Sequence, residues 1–404
     1  MPFQIDAVRA GYPALAEGFA HFDAAAGSLV AASVAQAAHE VMTGAVANRS
    51  TAFAPGRRAI EIVEQARAAV ADLLGVPAAG AVFGSSATSL TYLVSRTLAQ
   101  TWHPGDEIVV SRLDHDANVR PWLQAAASAG VNVRWAEFDP ATGALPSEQY
   151  EALIGERTRL VAVTAASNAN GAIPDVATIS ALAHRAGALC YVDGVHATPH
   201  LPVEVTALGA DFYVTSAYKW SGPHLATCAA DPALWETLRP QKLMPSSDLV
   251  PERFEHGTPS FAALAALTAA VDHLATLDDT AQGSRRERVL QSMAAVHAYE
   301  SDLFATLIAG LGTVPGLRMV AAPEHRCPTV AFRLDGDDPA KTAAALGDRG
   351  ICVFAGDYYA YEFFSALGLR DSGGAVRASI YHYTTAADVA RLVDALTEIQ
   401  AAAV

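Results

Sequence analysis

The chain has 404 residues, 51% of them apolar, with 27 Lys and Arg against 42 Asp and Glu for a formal charge of −15. That length sets two or three domains; no run of 18 bulky uncharged residues is present to span a bilayer, and without a basic tract the chain lacks the clustered Lys and Arg that nucleic-acid phosphates require. Cys190, Cys228, Cys327 and Cys352 lie far apart with no CxxC pair, so neither a metal site nor a disulfide framework is expected, and MPFQIDAVRAGYP lacks the basic and apolar regions of a secretory signal, so a reduced, cytoplasmic protein is expected.

In chain order, EIVEQARAAVADLLG places Ile62, Ala66, Ala69, Val70 and Leu73 at helical spacing, with Gly75 as the stop. Strands are predicted at 81–83, 107–111, 132–138, 159–165, 188–193 and 211–216. Most are continuous apolar runs, as expected for strands covered on both faces. Helical stretches such as WLQAAASAG and ATISALAHRAG lie between some of them, the alternation of a parallel sheet with crossover helices. Two long helices follow, over 261–277 and 284–311. A smaller unit then runs through PTVAFRL (328–334), GICVF (350–354) and AVRASIYHY (375–383) to a final helix. The expected division is a terminal segment over 1–20, a large α/β domain over 21–260, connecting helices over 261–311 and a small α+β domain over 312–404.

In an open parallel sheet, ligands bind beyond the carboxyl ends of the strands, and here those ends carry polar residues. Gly84-Ser85-Ser86 precedes a helix, an arrangement suited to a phosphate and equally to an ordinary serine N-cap. His115, Ser167-Asn168, Asp193 with His196, and Tyr218-Lys219 follow the later strands. The chain has only three lysines, and Lys219 alone of them sits in an apolar segment, where an amine can act as a nucleophile or a lysine can simply snorkel. An amine to form a Schiff base, a carboxylate for a ring nitrogen, a flat imidazole to stack and a Gly-Ser-Ser anchor are what pyridoxal 5′-phosphate asks for. A nicotinamide enzyme is disfavoured, because no G-x-G-x-x-G follows the first strand.

The block YVDGVHATPHLPVEVTALGADFYVTSAYKWSGPH resembles the lysine-bearing stretch of class V aminotransferases, the fold-type I branch that includes cysteine desulfurases and isopenicillin epimerase-like proteins. The likeness extends to FDAAAGS (22–28), GSSATS (84–89), LDHDANVRPW (113–122), SNANGA (167–172), RFEHGTPS (253–260) and AVRASIYHYTTAADV (375–389), almost the whole chain. It implies a large domain with a mostly parallel seven-stranded sheet and a small C-terminal α+β domain. It also implies Lys219 as the cofactor-binding and catalytic lysine, Asp193 as partner of the pyridine nitrogen, His115 as the stacking imidazole, and His196 as donor to the ring oxygen where many relatives have glutamine. Ser85, Ser86 and Ser216 would hold the phosphate, with Thr258 completing that site from a second subunit of a homodimer. Arg377 would bind the substrate carboxylate, with Asn168, Ala26 and Tyr358 beside it.

One departure bears on the reaction. In the desulfurase group with the most similar C-terminal region, a nucleophilic thiol lies on a loop shortly before the carboxylate-binding arginine; here that loop reads Phe354-Ala355-Gly356-Asp357-Tyr358-Tyr359, with Tyr359 in the thiol's place. Cys352 lies earlier, in an apolar run, and reads better as a strand cysteine. The leading expectation is therefore a carbon-sulfur lyase that eliminates the sulfur substituent of an S-substituted cysteine, with Tyr359 or Tyr358 as proton donor or as a mere pocket wall. Epimerisation, decarboxylation-coupled deamination and transamination begin from the same complex. Desulfuration through Cys352 and a non-catalytic protein of this fold are further alternatives.

Overall fold

The computed structural model describes residues 3–336 and 338–403. Its strands are β1 (Ala20–His21), β2 (Ala81–Gly84), β3 (Glu107–Ser111), β4 (Asn132–Ala136), β5 (Thr158–Thr164), β6 (Leu189–Asp193), β7 (Phe212–Ser216), β8 (Ala226–Ala230), β9 (Leu317–Met319), β10 (Thr329–Leu334), β11 (Ile351–Cys352), β12 (Phe354–Gly356) and β13 (Ala375–Ser379). Seven of them form one sheet in the order β2-β8-β7-β6-β5-β3-β4. Only β8 runs antiparallel to its neighbours, so the other six deliver their carboxyl ends to one edge.

The continuous apolar runs divide by alternation between two cores. Val109, Val161, Val163, Val192 and Tyr213 face one side, where the helices Ala54–Leu74, Val176–Arg185 and Phe261–Leu274 contribute Val63, Val70, Ile179, Leu182, Leu264 and Leu267. Ile108, Val110, Leu160, Ala162, Tyr191 and Val214 face the other, against Leu90, Val94, Trp122 and Ala126 from the helices Ala87–Ala99 and Arg120–Ala129. Gly75 ends the first helix as expected, in the left-handed region at φ +72° with its N–H on the Ala71 carbonyl.

The smaller sheet has the order β12-β13-β10-β9, and β1 pairs in parallel with β11. Its core joins Ala20 and Phe22 to Leu303, Leu307, Val330, Phe332, Ile380 and Leu392, so both ends of the chain build the smaller unit. The apolar run 350–354 does not form one strand. It breaks at Val353, where the backbone changes partner from β1 to β13. The strand expected over 375–383 stops at Ser379, whose N–H bonds to the Phe22 carbonyl, and a turn closes by the Thr384 N–H on the Tyr381 carbonyl.

Candidate active site

Loops leaving β2, β3, β5, β6 and β7 enclose a cavity of about 560 Å³, with Ser86, His115, Asn168, Asp193, His196, Ser216 and Lys219 on its wall. It shares His115, Asn168, Tyr218 and Lys219 with an outer cavity of about 1260 Å³ open to solvent, on which Ala26, Tyr358, Tyr359 and Arg377 also lie. The sequence-predicted site residues thus converge, apart from Ser85 and Thr258.

Lys219 ends a tight turn after β7, held by the Trp220 and Gly222 N–H groups on the Ala217 carbonyl and by the Ser28 N–H on the Tyr218 carbonyl. Its Nζ donates to the Ala25 carbonyl. Loss of hydration, then the nearby Arg377 charge, lowers its pKa to about 7 against the opposing pull of Asp193. The amine is therefore substantially neutral at physiological pH, the state a nucleophile or base requires.

Asp193, the last residue of β6, is buried and accepts the Val195 N–H at 2.9 Å. Burial raises its pKa to about 6, with Val195 and Lys219 working the other way. Among the described residues no cation forms an ion pair with it, so an acceptor faces the cavity without its complement. Gly194 is obligatory beside it, because a Cβ there would lie 1.9 Å from Tyr213 Cζ. His115 accepts the Ala117 N–H on Nδ1 at 3.0 Å, and burial holds its pKa down at about 3, which leaves a neutral flat ring. His196 places Nε2 3.0 Å from Thr329 Oγ1 and is likewise kept neutral by burial.

At the other end of the cavity, Ser86 caps the helix Ala87–Ala99, its Oγ accepting the Ser89 N–H at 3.0 Å. The Ala87 and Thr88 N–H groups have no intrahelical acceptor and, with Ser216, form an anion cradle on the wall. Ser86 is thus both the ordinary cap and a wall of the site. Ser85 is not on that wall: its Oγ lies 3.1 Å from Ser89 Oγ, and it borders a separate groove with His224 and Thr258. Thr258 is exposed there and does not reach its own chain's cavity.

Arg377 on β13 is 3% exposed. Nη1 donates to the Asn168 carbonyl at 2.7 Å, and the guanidinium lies 4.5 Å from the Tyr358 ring centroid. It has no carboxylate partner among the described residues, and burial lowers its pKa to about 10. Asn168 donates Nδ2 to the Tyr358 carbonyl at 2.9 Å, which leaves its buried Oδ1 without a partner. A buried cationic fork beside an orphan acceptor fits the carboxylate and amino group of an amino acid.

Tyr358 and Tyr359 both adopt positive φ, 48° and 60°, in a loop tied down by Asn168 and by the Asp116 N–H on the Tyr359 carbonyl at 2.7 Å. The Tyr358 hydroxyl donates to the Ala375 carbonyl, so its proton is committed; its ring face supports Arg377. Tyr359, 73% exposed, lies with its ring 5.6 Å from that of His115 at 26°. Cys190, Cys228 and Cys327 are fully buried, and Cys352 clusters with His21 and Asp23, their ligand atoms all within 4.8 Å of one another, outside both cavities.

Sequence reasoning missed Thr88, Tyr92, Arg120 and the wall role of Tyr218. Thr88 and Tyr92 stand four apart, on one face of the helix that follows the serines, a spacing that was available as a signal. Tyr218 stacks on His224 at 4.7 Å and 10°, a contact no spacing announces.

The lysine, unpaired carboxylate, neutral imidazole and anion cradle suit pyridoxal 5′-phosphate, and with the sheet topology they define a pyridoxal 5′-phosphate-dependent enzyme of fold type I. The family model for Aminotransferase class-V matches residues 20–392, and the chain belongs to that family. It is 36% identical to an uncharacterized protein of Mycobacterium tuberculosis (strain CDC 1551 / Oshkosh) over 99% of this chain and 100% of that one. It is 34% identical to a probable cysteine desulfurase of Pseudomonas aeruginosa, over 96% of each. The crystal structure of the cysteine desulfurase CsdA from Escherichia coli superposes with a TM-score of 0.87 at 28% identity, covering 98% of each chain.

Proposed function

We propose that the protein is a carbon-sulfur lyase that eliminates the sulfur substituent of an S-substituted cysteine without an enzyme thiol. The observation that carries this reading is that no cysteine borders either cavity, while Tyr359 occupies the loop beside Arg377. Arg377 holds the substrate carboxylate, and Asn168 Oδ1 faces its amino group. When bound, pyridoxal 5′-phosphate supplies an electron sink that acidifies the α-carbon. Lys219 Nζ takes the α-proton; the Cβ–S bond then breaks with its electron pair going to sulfur, which takes a proton from the Tyr359 hydroxyl. The products are a thiol and 2-aminoacrylate, which hydrolyses to pyruvate and ammonia.

When the cofactor is bound, Asp193 would meet the pyridine nitrogen, His115 would stack on the ring, His196 would donate to the ring oxygen, and Ser86, Ser216 and the helix N-terminus would take the phosphate. Thr258, exposed beside Ser85, suits a phosphate contact made across a homodimer interface.

The names of the relatives favour a second reading, desulfuration, which here would need Cys352. Product analysis separates the two. Pyruvate and ammonia from S-alkyl cysteines support elimination; alanine from cysteine, lost in Cys352→Ala, overturns it.

A further inference from the structure

His196 lies on the wall of the inner cavity, with Nε2 against Thr329. A neutral imidazole has one N–H to place on either of two nitrogens, and only the placement on Nδ1 leaves a donor for a group other than Thr329. Burial keeps His196 neutral, so its tautomer decides its role.

We propose that Thr329 and Ser379, two hydroxyls of the smaller domain, form a relay that fixes the His196 tautomer and thereby makes it a hydrogen-bond donor to the cofactor. The two residues stand opposite each other in the β10–β13 ladder. Thr329 Oγ1 lies 3.0 Å from His196 Nε2 and 2.9 Å from Ser379 Oγ, and all three residues are buried.

Each hydroxyl and the neutral ring have one proton; an arrangement in which Thr329 accepts from both neighbours leaves its own proton without an acceptor among the described residues, so two chain directions remain. In one, Ser379 donates to Thr329, Thr329 donates to His196 Nε2, and the imidazole proton sits on Nδ1; every proton inside the relay has an acceptor. In the other, Nε2–H donates to Thr329 and Thr329 to Ser379, whose own proton then has no acceptor among the described residues. A buried hydroxyl proton left unmade is unfavourable. The first direction therefore prevails, and it puts the N–H on the nitrogen not occupied by Thr329. Thr329 and Ser379 are positioning residues. Through them, docking of the smaller domain sets the electronic environment of a group bound in the larger one.

This inference rests on the reading that His196 meets the ring oxygen, but not on the elimination reaction, and its test uses no substrate. In protein labelled with 15N-histidine and loaded with pyridoxal 5′-phosphate, His196 is expected as the Nδ1–H tautomer, and an Nε2–H tautomer overturns the relay. The second measurement is the pH midpoint of the visible absorbance of the loaded protein. Weakening one charge-assisted hydrogen bond is expected to shift that midpoint by about one to two units in Thr329→Val, with Thr329→Ser restoring it and Ser379→Ala giving a smaller shift in the same direction.

A double-mutant cycle separates this from general damage to the domain junction. In a His196→Gln background the amide brings its own N–H, so adding Thr329→Val leaves the midpoint unchanged; an equal shift in both backgrounds overturns the relay. If Thr329→Val does not fold, Ser379→Ala takes its place in the same cycle. His196→Ala tells the two failures apart. An unmoved midpoint there refutes the contact with the ring oxygen, whereas a shift in His196→Ala but not in Thr329→Val refutes the relay alone.

Discussion

The inner and outer cavities are built by different means. The inner one is walled mainly by residues at or a few positions beyond the strand ends of the large sheet, and three of them, Thr164, Asp193 and Ser216, are themselves held in the ladder. The outer one depends on a loop, Asp357 to Ala360, whose two left-handed tyrosines accept hydrogen bonds from Asn168 and Asp116 and donate to Ala375 and Asp357. The rigid part carries the groups for the cofactor, and the strained part carries the departure from the desulfurase pattern. In the proposed reading, the same fold keeps its cofactor site while the outer loop sets the reaction.

Substitutions that test this contrast differ in size. Lys219→Ala is expected to abolish the yellow colour and to lower turnover by about 10⁴-fold or more, because attachment and proton transfer fail together; a variant that stays yellow and is bleached by borohydride with the cofactor fixed to the chain contradicts the assignment. Arg377→Ala, in the outer cavity, removes a charge-assisted fork and is expected to lower kcat/KM by about 10- to 150-fold, with the cofactor spectrum intact. Tyr359→Phe, in the outer cavity, is expected to cost about 2- to 12-fold, more for poor leaving groups than for good ones. Equal effects across leaving groups reduce Tyr359 to a pocket wall.

The inner cavity also has a pH signature. With Lys219 at a pKa of about 7, capture of pyridoxal 5′-phosphate by cofactor-free protein is expected to slow about fivefold from pH 7 to pH 6 and to level off above pH 8. The sign for stability follows from the same shift. Between about pH 7 and the ordinary lysine value of 10.5, the unfolded chain holds a proton that the folded chain has released. The cofactor-free fold therefore gains stability as pH rises through that window, which urea midpoints at fixed ionic strength measure. Gly194→Ala, where a Cβ collides with Tyr213, is expected to cost about 1–3 kcal/mol of stability.

How much the sequence disclosed follows the same division. Six of the seven strands of the large sheet were legible as bounded, mostly apolar runs, whereas β8, reading ATCAA, has too little β-branched or aromatic character to announce itself; residues at or a few places beyond a strand's end, such as Asp193 and Asn168, fell at the site as the topology requires. The ends of strands were less legible where partners change. GICVF reads as one strand, yet Val353 is the hinge between two pairings, and nothing local encodes which strand lies alongside. Ser85 and Ser86 are adjacent and alike, and only the cap geometry of Ser86 decides which faces the cavity. The Thr329–Ser379 contact joins residues on separate strands, beyond the reach of periodicity.

The pairing of Ala20–His21 with Ile351–Cys352 has a consequence for biosynthesis. A ribosome must extrude the whole stretch from residue 20 to residue 352 before that ladder can close, and such distant contacts form late. The seven-stranded sheet and Lys219 emerge well before then. The amine proposed to capture the vitamin is therefore synthesised while Arg377, proposed to bind the substrate carboxylate, is still untranslated.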